Sequence, residues 1–91
     1  MEAIWKFPFE VSDKVCIKML VNAKILSVQV QYGTPCIWAI CSDIELSSTI
    51  QEKRLFSIYG TGHQHSKIKG TFIGTFQMME GSLVFHLFEE E

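Results

Sequence analysis

The sequence predicts an all-β domain: a compact antiparallel sandwich or partly open barrel of about seven strands. Three observations predict it. Apolar and polar residues alternate at period two in most segments, and the connections between these segments are short and carry Gly, Pro or Asn. No amphipathic run reaches helical length. The 91 residues bound the answer to a single β domain, 1–91, with one modest core. Hydrophobic residues make up 47% of the chain, seven Phe and two Trp among them, which suffices to pack that core and excludes a disordered chain.

Taken in order, Ile4 to Phe7 opens as a short strand, and Pro8 marks it as an edge or as its end. Lys14 to Met19 alternates, with Val15, Ile17 and Met19 inward and Lys14 and Lys18 outward. Val21-Asn22-Ala23 is a turn, because Asn22 tolerates the left-handed conformation. Ile25 to Tyr32 follows, with Leu26, Val28, Val30 and Tyr32 expected on one face and Ser27, Gln29 and Gln31 on the other. Gly33-Thr34-Pro35 reads as a three-residue hairpin connection. Cys36 to Cys41 is apolar on both faces, as in a central strand or one between two layers. Ser42 to Glu52 is polar and acidic, hence a loop; a short helix capped by Ser47, Ser48 or Thr49 is the competing expectation.

Lys53 to Tyr59 is the next strand, with Phe56 and Ile58 opposite Leu55 and Tyr59. Thr71 to Met78 is another, and Gly74 within it predicts a bulge or a close approach. Glu80-Gly81 turns the chain into a last alternating strand, Leu83 to Phe88. The expected core is Leu26, Val28, Val30, Ile37, Ala39, Phe56, Ile58, Phe72, Phe76 and Phe85.

Charge narrows the function classes. A net charge of −2 excludes a generally basic binder of long nucleic acid. No segment approaches the roughly 18 apolar residues of a membrane helix, and the opening residues lack the apolar run of a signal peptide. Cys16, Cys36 and Cys41 are odd in number, at spacings that fit no disulfide or zinc framework. Reduced thiols in a cytoplasm are the expectation.

The acidic residues are unevenly placed. From Lys53 to Met79 there is no Asp or Glu, while Lys53, Arg54, Lys67 and Lys69 are cationic. Within that stretch Gly60-Thr61-Gly62 leads into His63 and His65. Glycine lets the main chain approach an anion closely, so backbone N–H groups and the nearby cations make a phosphate site the functional expectation. The competing expectation is a turn that needs glycine for its geometry. P-loops and dinucleotide fingerprints need a helix after the glycines, and here a strand pattern follows.

The blocks Trp5-Lys6-Phe7, Ala23 to Gln31, Pro35 to Ala39, Tyr59-Gly60-Thr61-Gly62-His63, Ile73-Gly74-Thr75 and Val84 to Glu89 occur in this order. Together they resemble a family of short proteins of unknown function from tailed phages and prophages, over nearly the whole chain. The resemblance implies an intracellular protein in the cytoplasm of a host cell. Small, compact, non-enzymatic phage proteins often look like counter-defence factors, and the resemblance implies that role as an expectation. No catalytic residue is carried over by the resemblance.

The remaining constellations are weaker. His63 and His65 form an H-x-H pair with no carboxylate nearby in sequence, so no metal and no other cofactor is expected. His86 alternates with Val84 and Phe88 and reads as a structural, half-buried histidine. Cys36 and Cys41 lie in an apolar strand that disfavours a thiolate, and no Ser-His-acid order suggests a triad, so no catalytic residue is assigned. Tyr59 and Trp5 are the aromatics expected to reach a ligand.

The candidate ligand-binding set is therefore Arg54, Tyr59, Gly60, Thr61, Gly62, His63, Lys67, Lys69 and Trp5. It fits a non-enzymatic protein that sequesters a phosphorylated (cyclic) nucleotide second messenger. The alternatives are an inhibitor of a host defence protein and a minor virion or assembly component. Several strands apolar on both faces also predict a homo-oligomer.

Overall fold

The computed structural model describes residues 1–42 and 50–91. Among them seven strands form two antiparallel sheets that do not close into a barrel, so the architecture is a sandwich. The strands are β1 (Glu2–Pro8), β2 (Lys14–Leu20), β3 (Lys24–Gln31), β4 (Thr34–Ser42), β5 (Gln51–Gly60), β6 (Thr71–Met78) and β7 (Leu83–Glu89). A three-stranded sheet has the order β1-β4-β3, and a four-stranded sheet the order β2-β5-β7-β6. Of the loop expected over Ser42 to Glu52, Ser42 belongs to β4 and Gln51 and Glu52 to β5, because strand pairing extends further than the polar composition suggests. Residues 43–49, with the competing helix cap at Ser47, Ser48 or Thr49, lie outside the described residues. Among those described, no helix is long and apolar enough to cross a membrane.

β4 is central because both its faces have apolar company. Ile37, Ala39 and Cys41 turn into the core, while Ile40 and Trp38 face outward beside Ile4 and Lys6 of β1. On the facing sheet, Met19, Phe56, Ile58, Phe76 and Leu87 complete the core. Phe9, just past β1, packs edge-on against Phe76 at 5.9 Å and donates its N–H to Pro35 O. Each large apolar side chain buried this way contributes about 1.5–3 kcal/mol before chain entropy is counted.

Four expectations are corrected. In β3 a register shift between Ile25 and Ser27 makes Leu26 the extra residue. Ile25 and Val28 then face inward, while Leu26 and Val30 are exposed. The hairpin after β3 uses two residues, Tyr32-Gly33, both at positive φ, rather than three. That is the turn whose twist matches the strands, and it leaves Tyr32 fully in solvent. Phe72 is also exposed, because it lies on the outward side of β6 opposite Phe88. Finally, the strands that flank the glycine loop would be hairpin-like neighbours if they paired, bringing Arg54 towards the later strand; β5 and β6 do not pair, for β7 lies between them.

Other expectations hold in the structure. Asn22 is left-handed at φ 63° where the chain passes from one sheet to the other. Gly74 follows a register shift in β6 and faces Val28 of β3 so closely that a Cβ would sit 2.9 Å from Val28 Cγ1. The two sheets touch most closely along that margin.

Candidate functional site

The site follows from strand order. β7 is antiparallel to both β5 and β6, so β5 and β6 run parallel, and the chain must travel back along β7 to join them. Residues 61–70 make that return, reaching from beside Phe85 at one end of β7 to Glu89 at the other. Ten residues can span about 33 Å when extended, so the segment is long enough to cross as a strap. It lies on the outward side of the four-stranded sheet. Its His65 ring meets Tyr59 edge-on at 4.7 Å, and its Lys69 N–H donates to the Tyr59 hydroxyl at 3.4 Å.

Period two supplies what lies beneath. Ser57 and Tyr59 of β5, His86 and Phe88 of β7, and Phe72 and Thr75 of β6 are cross-strand partners on this outward face. Tyr59, Phe88 and Phe72 form an aromatic row, with centroids 5.4 Å and 5.3 Å apart. His86 anchors the strap: its Nε2 is 2.7 Å from Thr61 Oγ1 and its Nδ1 is 2.9 Å from Thr75 Oγ1. One hydroxyl donates to the imidazole and the other accepts from it.

Two open clefts flank Tyr59. One, of about 290 Å³, is floored by Phe72, Phe88 and Tyr59 and rimmed by Thr61, His63, Ile68 and His86. The other, of about 300 Å³, is polar and lined by Asp13, Lys14, Ser57, Tyr59, His65, Ser66 and Lys67.

The expected residues divide in two. Tyr59, Gly60, Thr61, Gly62, His63 and Lys67 do meet around these clefts. Lys69 lies at the far end of the strap, where Gly70, Glu90 and Glu91 are its neighbours. Trp5 is on the other sheet, opposite Ala39 on its core-facing side, and cannot share the site. Arg54 is likewise turned away. It shares the inward parity of Phe56 and Ile58, and its guanidinium is spent on Glu89 through Nε and Nη2, the latter at 2.8 Å, and on Ala23 O at 2.7 Å. The Glu89 hydrogen bond raises the Arg54 pKa further, so this group is a fixed structural cation.

The glycine turn is also mostly committed. Thr61 N–H donates to Val84 O at 3.0 Å and His63 N–H to Gly60 O at 3.2 Å, so neither is open to an anion. Gly62 takes φ 84° in this turn, and the His63 ring lies over Gly60, where a Cβ would be 2.7 Å from Nδ1. Nor is the stretch acid-free in space. Glu89, Glu90 and Glu91 run alongside it, with Glu91 accepting from Thr71 Oγ1 at 2.7 Å.

Sequence reasoning missed Lys14, Ser57, Phe72 and Phe88. Their signal was parity: all sit on the outward side with Tyr59. The three cysteines are free thiols; Cys36 and Cys41 are buried and Cys16 is exposed. Burial pushes the Cys41 thiol above its ordinary pKa.

The family model described as "Domain of unknown function (DUF7352)" matches residues 1–91. No curated protein and no solved structure matches the chain.

Proposed function

This chain belongs to that domain family, and from its own geometry we propose a non-enzymatic binding protein for a small ligand that joins a flat ring to a phosphate, a nucleotide above all. One observation carries the reading: the strap lays His65 and Lys67 across the same sheet face on which Tyr59, Phe88 and Phe72 form an aromatic row. A nucleobase stacks on such a row at about 1–3 kcal/mol per base. Among the described residues Lys67 makes no ion pair, so its ammonium is available for phosphate. The resemblance to short phage and prophage proteins supports a counter-defence role in a host cytoplasm, where sequestering a signalling nucleotide would silence a defence response.

Calorimetric titration with linear mononucleotides and with cyclic di- and trinucleotides tests this. Tyr59→Ala and Lys67→Ala should each weaken binding about tenfold. Lys67→Ala should leave the melting temperature near that of the parent, while Tyr59→Ala lowers it through the lost Phe88 and His65 contacts. Folded variants that bind as the parent does, or a parent that binds no nucleotide, would overturn the reading.

A second reading, inhibition of a host protein, is favoured by the outward face of the three-stranded sheet. There Ile4 and Leu26 are exposed beside the half-buried Trp38 and Ile40. Replacing Ile4 by Lys would abolish capture of such a partner and leave nucleotide titrations unchanged.

A further inference from the structure

Resting on the nucleotide reading, we propose that Lys14, Ser57 and Lys67 form the phosphate subsite of the strap face, and that Glu90 occupies it as a built-in competitor. The carboxylate already shows what the position binds. Lys14 Nζ donates to Glu90 Oε2 at 3.0 Å, and Ser57 Oγ donates to the same oxygen at 3.2 Å. Lys14 Nζ also reaches Ser57 Oγ at 2.9 Å. One anionic oxygen held by an ammonium and a hydroxyl is the arrangement a phosphoryl oxygen takes.

The surroundings fit exchange. The polar cleft opens beside this contact, and Lys67, Ser66 and His65 line it without a carboxylate partner among the described residues. Asp13, which also lines that cleft, is an acceptor suited to a sugar hydroxyl. Tyr59 forms the wall shared with the aromatic cleft, so a ligand can place phosphate on one side of it and ring on the other.

Glu90 is placed to yield. Its main-chain N–H donates to Leu55 O at 2.8 Å, so the backbone is held independently of the side-chain contacts with Lys14 and Ser57. Lys14 is exposed, and an exposed ion pair is weakened by water and salt. The hydrogen bond from Lys14 holds the Glu90 carboxyl below its ordinary range, so the competitor is charged at neutral pH. A phosphomonoester brings a charge of about −1.5 to −2 against the single charge of the carboxylate, and it gains Lys67 as well.

The test compares the parent, Glu90→Gln, Lys14→Ala and the double variant, each checked for an intact melting transition. They are titrated with pyrophosphate, a nucleoside monophosphate and a cyclic dinucleotide. Glu90→Gln should tighten the phosphorylated ligands about tenfold, and Lys14→Ala should cancel that gain. If pyrophosphate gains as much as the nucleotides, the subsite reads phosphate alone; a gain confined to nucleotides assigns it their phosphate. Equal affinity of parent and Glu90→Gln for a nucleotide overturns this inference and leaves the aromatic-face reading standing. A parent that binds no nucleotide, with a Glu90→Gln variant that takes pyrophosphate through Lys14, supports the subsite and overturns the nucleotide reading. Binding of nothing by any variant overturns both.

Discussion

Arg54 illustrates how parity within a strand decides a side chain's work. As a cation in an acid-poor stretch it belongs with Lys67, yet it lies two residues from the buried Phe56 and so faces the same way. Glu89 is the cross-strand partner of Phe56, which puts its carboxylate diagonal to Arg54 and within reach of a long side chain. About a fifth of each side chain meets solvent. Arg54→Met should therefore cost about 2–3 kcal/mol, less than breaking a fully buried pair, because Glu89 is left without its partner. Urea denaturation would read the loss as a lower midpoint at unchanged slope, and ligand titrations should stay as in the parent. Cys41 makes a second residue-scale prediction, with the sign set by burial. Its folded pKa is raised above 9.0. Above that pH the unfolded thiol ionises while the folded one keeps its proton. The folded state then holds more protons, and stability falls as pH rises. Cys41→Ala should flatten the decline of the urea midpoint above about pH 9 relative to the parent.

At the scale of elements, the margin where β3 meets β6 depends on Gly74 having no side chain. Gly74→Ala would press a methyl against Val28, costing about 1–3 kcal/mol by overpacking. The double variant with Val28→Ala should lose less stability than the two single losses added together, since the smaller residue opens the space the methyl needs. Strictly additive losses would show that the contact is not what limits the site. The elements themselves were mostly legible. Val15, Ile17 and Met19 alternate inward in β2 as their pattern says, because a strand with one buried face obeys period two. β3 was misread at Leu26 since a bulge breaks the alternation without any Gly or Pro to announce it. The hairpin was misplaced by one residue because Tyr32, an uncommon choice, occupies a positive-φ position.

For the molecule as a whole, the homo-oligomer expected from the doubly apolar strands is carried forward as a proposal. Ile4 and Leu26 on the outward face of the three-stranded sheet are 61% and 44% exposed, and a second copy covering them would remove apolar surface from water. Light scattering should then give a mass above the 10.4 kDa of one chain, falling toward it on dilution. A concentration-independent monomer rejects the proposal.

By itself the sequence determined the all-β class, most strand positions, the left-handed turn at Asn22 and the cationic composition of residues 61–70. These are local properties: each depends on residues a few positions apart, which share one strand or one turn. Only the tertiary structure decided that β7 separates β5 from β6, so that the connection becomes a strap over an aromatic row. The same holds for the pairing of Glu89 with Arg54 and of Glu90 with Lys14. Those contacts join residues 35 and 76 positions apart. Alternation within a strand says which way a side chain points. It does not say which strand lies alongside, because that choice is made by burial summed over the whole sheet.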